Sequence, residues 1–257
     1  MTEEDCRGFD QIIFLAGLSN DPMAELSPSK NFIYNAALPA YMAYIAKRAG
    51  VKRFIYASSC SVYGYSANNT CDEDGPVISG YPYGISKLQG ERGSLYLADG
   101  AFSVISLRQG TVCGHSRRMR FDLVVSGMYR TAVTEGVIRV NHPSIWRPLI
   151  DIRDTAQAFV RAVQAPMEIS GIFNVAIDNF LVGQIGDIVK DEVEKLLGRH
   201  IALEISYKTD YRNYKVACHR AKETIGFMPR YGVADMVRNI HEHREEYGDM
   251  NADKYYN

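Results

Sequence analysis

Along the first hundred residues, short apolar runs that end at glycine or small polar residues alternate with longer stretches of helical period. Gln11-Ile-Ile-Phe-Leu-Ala16 is almost wholly apolar and stops at Gly17, the pattern of a strand covered on both faces. Over 27–49 the apolar positions recur at helical spacing, with Ser27-Pro28 as N-cap and first-turn proline and Gly50 as the stop. Val51-Lys-Arg-Phe-Ile-Tyr-Ala-Ser58 predicts a second buried strand, followed by a polar loop through Asn68, Asn69, Asp72 and Pro76. A helix over 82–98 and a strand over 102–107 extend the series. Strand, helix, strand, helix, strand predicts a parallel sheet with right-handed crossovers.

Beyond Gly114 the alternation is less regular. Helices are expected over 121–134, 152–163 and 182–197, and strands over 137–140, 173–175 and 201–205. In a last helix over 233–243, Val233, Met236, Val237 and Ile240 share one face, which reads as core. The tail from Asp253 to Asn257 is expected to fray. No repeat or low-complexity linker divides the chain.

With 257 residues the chain is long enough to bury a large core. A net charge of -1 leaves no excess of Lys and Arg for a nucleic acid. The five cysteines, Cys6, Cys60, Cys71, Cys113 and Cys218, form no CxxC pair and read as packing residues in a reducing compartment. Met1-Thr-Glu-Glu-Asp5 lacks the basic and apolar regions of a signal peptide, and no apolar run nears the roughly 20 residues that span a bilayer. A soluble, cytoplasmic protein is expected. His241 and His243, two apart in a helix, point to different faces with no HExxH or Cys/His cluster, so no metal site is expected.

Three features carry candidate chemistry. Ala57-Ser-Ser-Cys-Ser-Val-Tyr-Gly64 puts small hydroxyl residues at the carboxyl end of a parallel strand, where ligands sit in open α/β sheets, although a terminating loop has the same composition. Tyr83-Gly-Ile-Ser-Lys87 sets a tyrosine and a lysine on one face at the start of a helix. Lowering a phenol from a pKa of about 10 to near 7 requires roughly 4 kcal/mol of preferential stabilisation of the phenolate, part of which an ammonium supplies. With seventeen tyrosines such a pair also arises by chance, and Tyr211 with Lys215 is a second one; only Tyr83 follows a small-hydroxyl strand end. Arg147 and Arg212 have the planar fork that suits a diphosphate, or equally a surface carboxylate.

Taken in order, Ile13-Phe-Leu-Ala-Gly-Leu-Ser-Asn-Asp-Pro22, Asn35, the 51–64 segment, Tyr83-x-x-x-Lys87, Leu107-Arg-Gln-Gly-Thr-Val112, Arg147-Pro-Leu-Ile-Asp-Ile-Arg-Asp154 and Gly171-Ile-Phe-Asn-Val175 resemble the extended short-chain dehydrogenases, in particular the NAD-dependent nucleotide-sugar epimerases and dehydratases. The resemblance implies a Rossmann-like, doubly wound parallel α/β sheet, partial and catalytic over 1–115. A smaller substrate-binding lobe would occupy 116–257, with some segments returning to the sheet. It implies Ser59, Tyr83 and Lys87 as catalytic residues, Tyr83 being the base and Lys87 also holding the ribose. Leu15, Ala16, Gly17, Ala57, Ser58 and Gln109 would flank NAD, with NADP not excluded. Ser59, Thr111, Arg147 and Arg212 would bind a nucleotide-diphosphate sugar. The implied reaction is epimerisation through a keto-sugar, with a keto-sugar reductase, a dehydratase or a non-catalytic paralogue as alternatives. Cys60 and Ser61 replace the Asp-Glu pair of the 4,6-dehydratases, which disfavours elimination of water.

The family's opening strand and glycine-rich turn, which present a helix amino terminus to the pyrophosphate, have no counterpart here. The chain starts near what would be the fourth strand. A late start, a second chain supplying the segment and a loss of cofactor binding are the three explanations. Without those strands one sheet edge should be uncovered, which predicts a homodimer or association with a chain that supplies them.

Overall fold

The computed structural model describes residues 2–207 and 212–256. Its strands are β1 (Gln11–Phe14), β2 (Arg53–Ser59), β3 (Tyr65–Cys71), β4 (Ser103–Gln109), β5 (Thr111–Cys113) and β6 (Val137–Asn141). They continue with β7 (Trp146–Asp151), β8 (Gly171–Val175), β9 (Asp178–Leu181), β10 (Ala202–Ser206) and β11 (Asn213–Val216). The main sheet is parallel in the order β1-β2-β4-β8. β2 and β4 are buried along nearly their whole length, so alternate side chains enter two apolar layers. Phe54, Tyr56 and Val104 pack with Met42, Ala43 and Ala46 of the helix Leu38–Arg48. Ile55, Ile105 and Leu107 face Ala158 and Phe159 of the helix Ile152–Gln164. Each such side chain contributes about 1.5–3 kcal/mol by leaving water, which fixes the strand register.

The second half builds its own core. Helices Val124–Glu135, Val182–Leu197 and Val233–Glu242 close around the β6–β10 pair, and Val233, Met236, Val237 and Ile240 are all buried there as their spacing predicts. β8 returns to the main sheet beside β4.

Several expectations are corrected. The 65–71 segment, read as polar loop, is β3, which pairs in parallel with β11, itself not predicted. That pairing joins segments far apart in the chain, and no local period records it. β5, β7 and β9 form a further small sheet that the pattern did not reveal. The helix expected from residue 27 is preceded by another, Asp21–Leu26, capped by Asn20, whose Oδ1 accepts the Met23 N–H at 2.9 Å. Ser27 makes no side-chain cap, and the helical path beyond it contains a π turn at Ile33–Ala37. The tail is not frayed throughout: Tyr255 is buried, its hydroxyl donates to the Tyr247 carbonyl, and its own carbonyl accepts the Phe121 N–H at 3.1 Å.

All five thiols are free, four of them buried. The outer edge of β1 has no strand partner among the described residues, and Phe9, Ile13 and Leu15 beside it are exposed. No helix among the described residues is long and apolar enough to cross a membrane.

Candidate active site

Tyr83, Lys87 and Glu91 stand at i, i+4 and i+8 on the helix Pro82–Leu95, so one buried face carries all three. Glu91 anchors that face to β4: its Oε1 lies 2.6 Å from Arg108 Nη2 and its Oε2 accepts from Ser106 Oγ at 3.1 Å. The helix also packs closely against the turn at Asn35. A Cβ at Gly90 would come within 2.3 Å of the Asn35 carbonyl oxygen, so only glycine permits this approach.

Lys87 reaches down to the sheet, donating from Nζ to the Ala57 carbonyl at 2.8 Å, with the centre of the Tyr83 ring 5.9 Å away. Burial lowers its pKa to about 8. Ser59 ends β2, and its hydroxyl accepts the Ser61 N–H at 3.1 Å. Burial pushes the Tyr83 phenol up to about 12, against a hydrogen bond from Ser59 that lowers it; Asp21 raises it and Arg120 lowers it. To act as a base near neutral pH the phenol must therefore recover about five units, roughly 7 kcal/mol, from groups that bind beside it.

Two adjoining hollows meet at Tyr83. The larger, about 740 Å³, has Ser59, Thr111, Arg147 and Arg212 in its wall. The smaller, about 160 Å³, is bounded by Leu15, Gly17, Ala57 and Lys87. Ser58, Tyr83 and Gln109 belong to both. The expected site residues thus come together, except Ala16, which is exposed and borders neither hollow. Arg147 donates to the carbonyls of Trp146 and Arg212, and Arg212 Nη1 lies 3.4 Å from Asp21 Oδ2. Tyr211, of the second tyrosine–lysine pair, lies outside the described residues.

Polar groups at and beside the smaller hollow suit the ribose of a dinucleotide. Ser58 Oγ and Asn35 Oδ1 are buried without a hydrogen-bond partner among the described residues. A Cβ at Gly17 would lie 2.2 Å from that Asn35 oxygen, so only glycine permits this close approach. The Lys87 ammonium has three protons and uses one on Ala57.

Sequence reasoning did not single out Asp21, Arg120 or Tyr214, which also line the larger hollow. Asp21 follows the helix cap Asn20, and that Asn-Asp-Pro start was the available signal. Cys60 is buried with its thiol donating to the Arg108 carbonyl at 3.1 Å, so of the two residues replacing an acid–base pair only Ser61 borders the hollow. His241 and His243 point apart as their spacing predicts: the first meets the Tyr129 hydroxyl at 3.0 Å and the second stacks on His115.

Comparison with known proteins bears on the family and the fold. The sequence profile of the NAD dependent epimerase/dehydratase family matches residues 3–176. UDP-glucose 4-epimerase 4 of Oryza sativa subsp. japonica is 30% identical over 102 residues, 39% of this chain and 28% of that protein. UDP-glucose 4-epimerase 3 of the same plant is 25% identical over 254 residues, 90% of this chain and 68% of its own length. Among solved structures, MoeE5 in complex with UDP-glucuronic acid and NAD superposes with a TM-score of 0.82 at 22% identity, over 95% of this chain and 82% of that one. UDP-glucuronic acid 4-epimerase from Bacillus cereus, in complex with UDP-glucuronic acid and NAD, gives 0.82 at 18% identity, over 95% and 78%. These likenesses establish the fold, and with two thirds of its length matched by the family profile the chain belongs to the NAD dependent epimerase/dehydratase family.

Proposed function

We propose that the chain acts on a nucleotide-diphosphate sugar as a 4-epimerase, with NAD in the smaller hollow and the sugar in the larger. The observation that supports this most is the position of Tyr83: it borders both hollows, hydrogen-bonds Ser59 and rides on the same helix face as Lys87. Bound NAD would supply the hydride acceptor and, in its oxidised form, a positive charge near the phenol. Ser59 donates a hydrogen bond to the oxygen of the reacting sugar hydroxyl, and Tyr83 takes that hydroxyl's proton as the carbon–hydrogen bond breaks, leaving a ketone. Lys87 holds the ribose hydroxyls and adds a second cation. Arg147 and Arg212 pair with the diphosphate and set the sugar's depth. Return of the proton from Tyr83 to the ketone oxygen, with hydride to the other face of the carbon, completes inversion.

Cys60 turned into the core and the neutral Ser61 beside Ser59 give no acid–base pair for water loss, which favours epimerisation over dehydration. The exposed edge of β1 is the place for a strand that carries a glycine-rich turn, whether from this polypeptide or a partner.

The test is calorimetric titration with NAD, followed by incubation with UDP-glucose and NAD and chromatography of the nucleotide sugars. The reading predicts NAD binding and conversion to the 4-epimer with no net cofactor reduction. Stoichiometric release of oxidised cofactor from a keto-sugar would make the protein a reductase. Undetectable binding up to millimolar NAD would leave a sugar-nucleotide-binding paralogue.

A further inference from the structure

Behind one wall of the cleft, a cluster combines metal-ligand chemistry with prior orientation of its side chains. His115 follows Gly114 after β5, and His243 ends the helix Val233–Glu242; their rings stack with centroids 3.8 Å apart and planes 10° apart. Each imidazole is held through Nδ1. That of His243 lies 2.8 Å from the Asn239 carbonyl oxygen, which only accepts, so the proton sits there and Nε2 keeps its lone pair in the neutral ring. That of His115 lies 2.9 Å from the Tyr247 hydroxyl, which can accept in the same way, and the His115 N–H donates to Asn239 Oδ1 at 2.8 Å. Contacts of this kind, to the nitrogen remote from the ion, orient metal-bound histidines in general. The Glu246 carboxylate is 3.9 Å from His115 Nε2, and one ligand atom from each of the three residues lies within 4.8 Å of the others.

We propose that His115, His243 and Glu246 form a site for a divalent transition ion, Zn²⁺ or its Co²⁺ analogue, with water completing the shell. Two imidazoles and one carboxylate suit a borderline ion and offer too few oxygens for Mg²⁺ or Ca²⁺. Bond lengths of about 2.0–2.1 Å in a tetrahedron put ligand atoms roughly 3.3 Å apart. The parallel rings therefore splay until their Nε2 lone pairs converge, and the exposed Glu246 carboxylate swings inward. The residues after His115 explain what the ion would do. Ser116, Arg118, Met119 and Arg120 line the larger hollow, so a bound ion would tie that wall to the C-terminal helices.

The test uses the full-length chain, free of any affinity tag and stripped with a chelator. It is titrated with ZnCl₂ in a calorimeter and with CoCl₂ by visible absorption. One equivalent is expected, with a tetrahedral Co²⁺ band and no comparable uptake of MgCl₂. His115→Gln and His243→Asn should each weaken uptake by more than the roughly 10–100-fold that losing an outer partner costs. His200→Asn, at an exposed histidine paired with Glu194, should leave it unchanged. Absence of uptake, or full uptake by the double variant, overturns the proposal. If the variants fail to fold, proton resonances of the wild-type imidazoles decide: Zn²⁺ must shift those of His115 and His243, and shifts confined to other histidines overturn it.

Discussion

Glu91 and Arg108 form a buried two-pronged ion pair, 2.6 Å and 3.0 Å at its shortest contacts, two helical turns beyond Tyr83. The pair locks the helix face that carries Tyr83 and Lys87 to β4, the strand that ends at Gln109 in the cleft. Removing one partner strands a charge away from water, which costs about 3–5 kcal/mol. Glu91→Gln should lower the unfolding free energy from urea melts by that amount, and Glu91→Gln with Arg108→Met should recover part of the loss. A single variant as mild as a surface substitution would show that apolar packing alone holds the helix.

Tyr83→Phe removes the phenol and little volume. Turnover should fall by a factor on the order of 10²–10⁴, the usual contribution of a general acid–base group. Sugar-nucleotide affinity should stay nearly unchanged, because Arg147 and Arg212 lie elsewhere in the wall. Steady-state kinetics with a parallel binding titration separate the two, and equal turnover in both proteins would remove Tyr83 from the reaction.

Gly17 has a φ of 145° and packs against Asn35 Oδ1. Gly17→Ala combines backbone strain with a clash in the smaller hollow, so a loss of about 1–3 kcal/mol in stability should accompany a clear drop in NAD affinity. Gly198→Ala is the control: its φ of 63° lies in the left-handed region, where an added side chain is strained less, and nothing lies within 4 Å of the added Cβ. It should cost stability and spare NAD binding, and equal NAD losses in both variants would refute the packing argument.

The parts of the fold that were legible in the sequence are those with local signals. The helix Val182–Leu197 was found end to end because its apolar period runs unbroken to Gly198 in the left-handed region. Tyr83 and Lys87 were legible because four residues make one helical face. Asp21 with Arg212 and His115 with His243 were not, since each pair joins distant segments that only the packed lobes bring together. The π turn at Asn35 left no trace either. It adds a residue to a turn while the flanking apolar positions still read as helix. The buried tail needed the Tyr247 and Phe121 rings to be in place before Tyr255 had anything to pack on.

Lys87 makes stability depend on pH with a sign that can be checked. Its pKa is about 8 in the folded protein against about 10.5 when exposed, so between those values the unfolded chain binds more protons. Stability from this group is therefore complete above pH 10.5 and is lost as pH falls through 8, a change of about 3 kcal/mol. Tyr83 acts oppositely above pH 10, where the unfolded phenol ionises and the buried one, at about 12, does not. Comparison with Lys87→Met largely cancels that second effect, because both proteins keep Tyr83. The stability of wild type relative to Lys87→Met, from urea melts at successive pH values, should rise between pH 8 and 10. A difference that stays flat over that range would mean the Lys87 ammonium is solvated, and its closeness to Tyr83 would then do little to make the phenol a base.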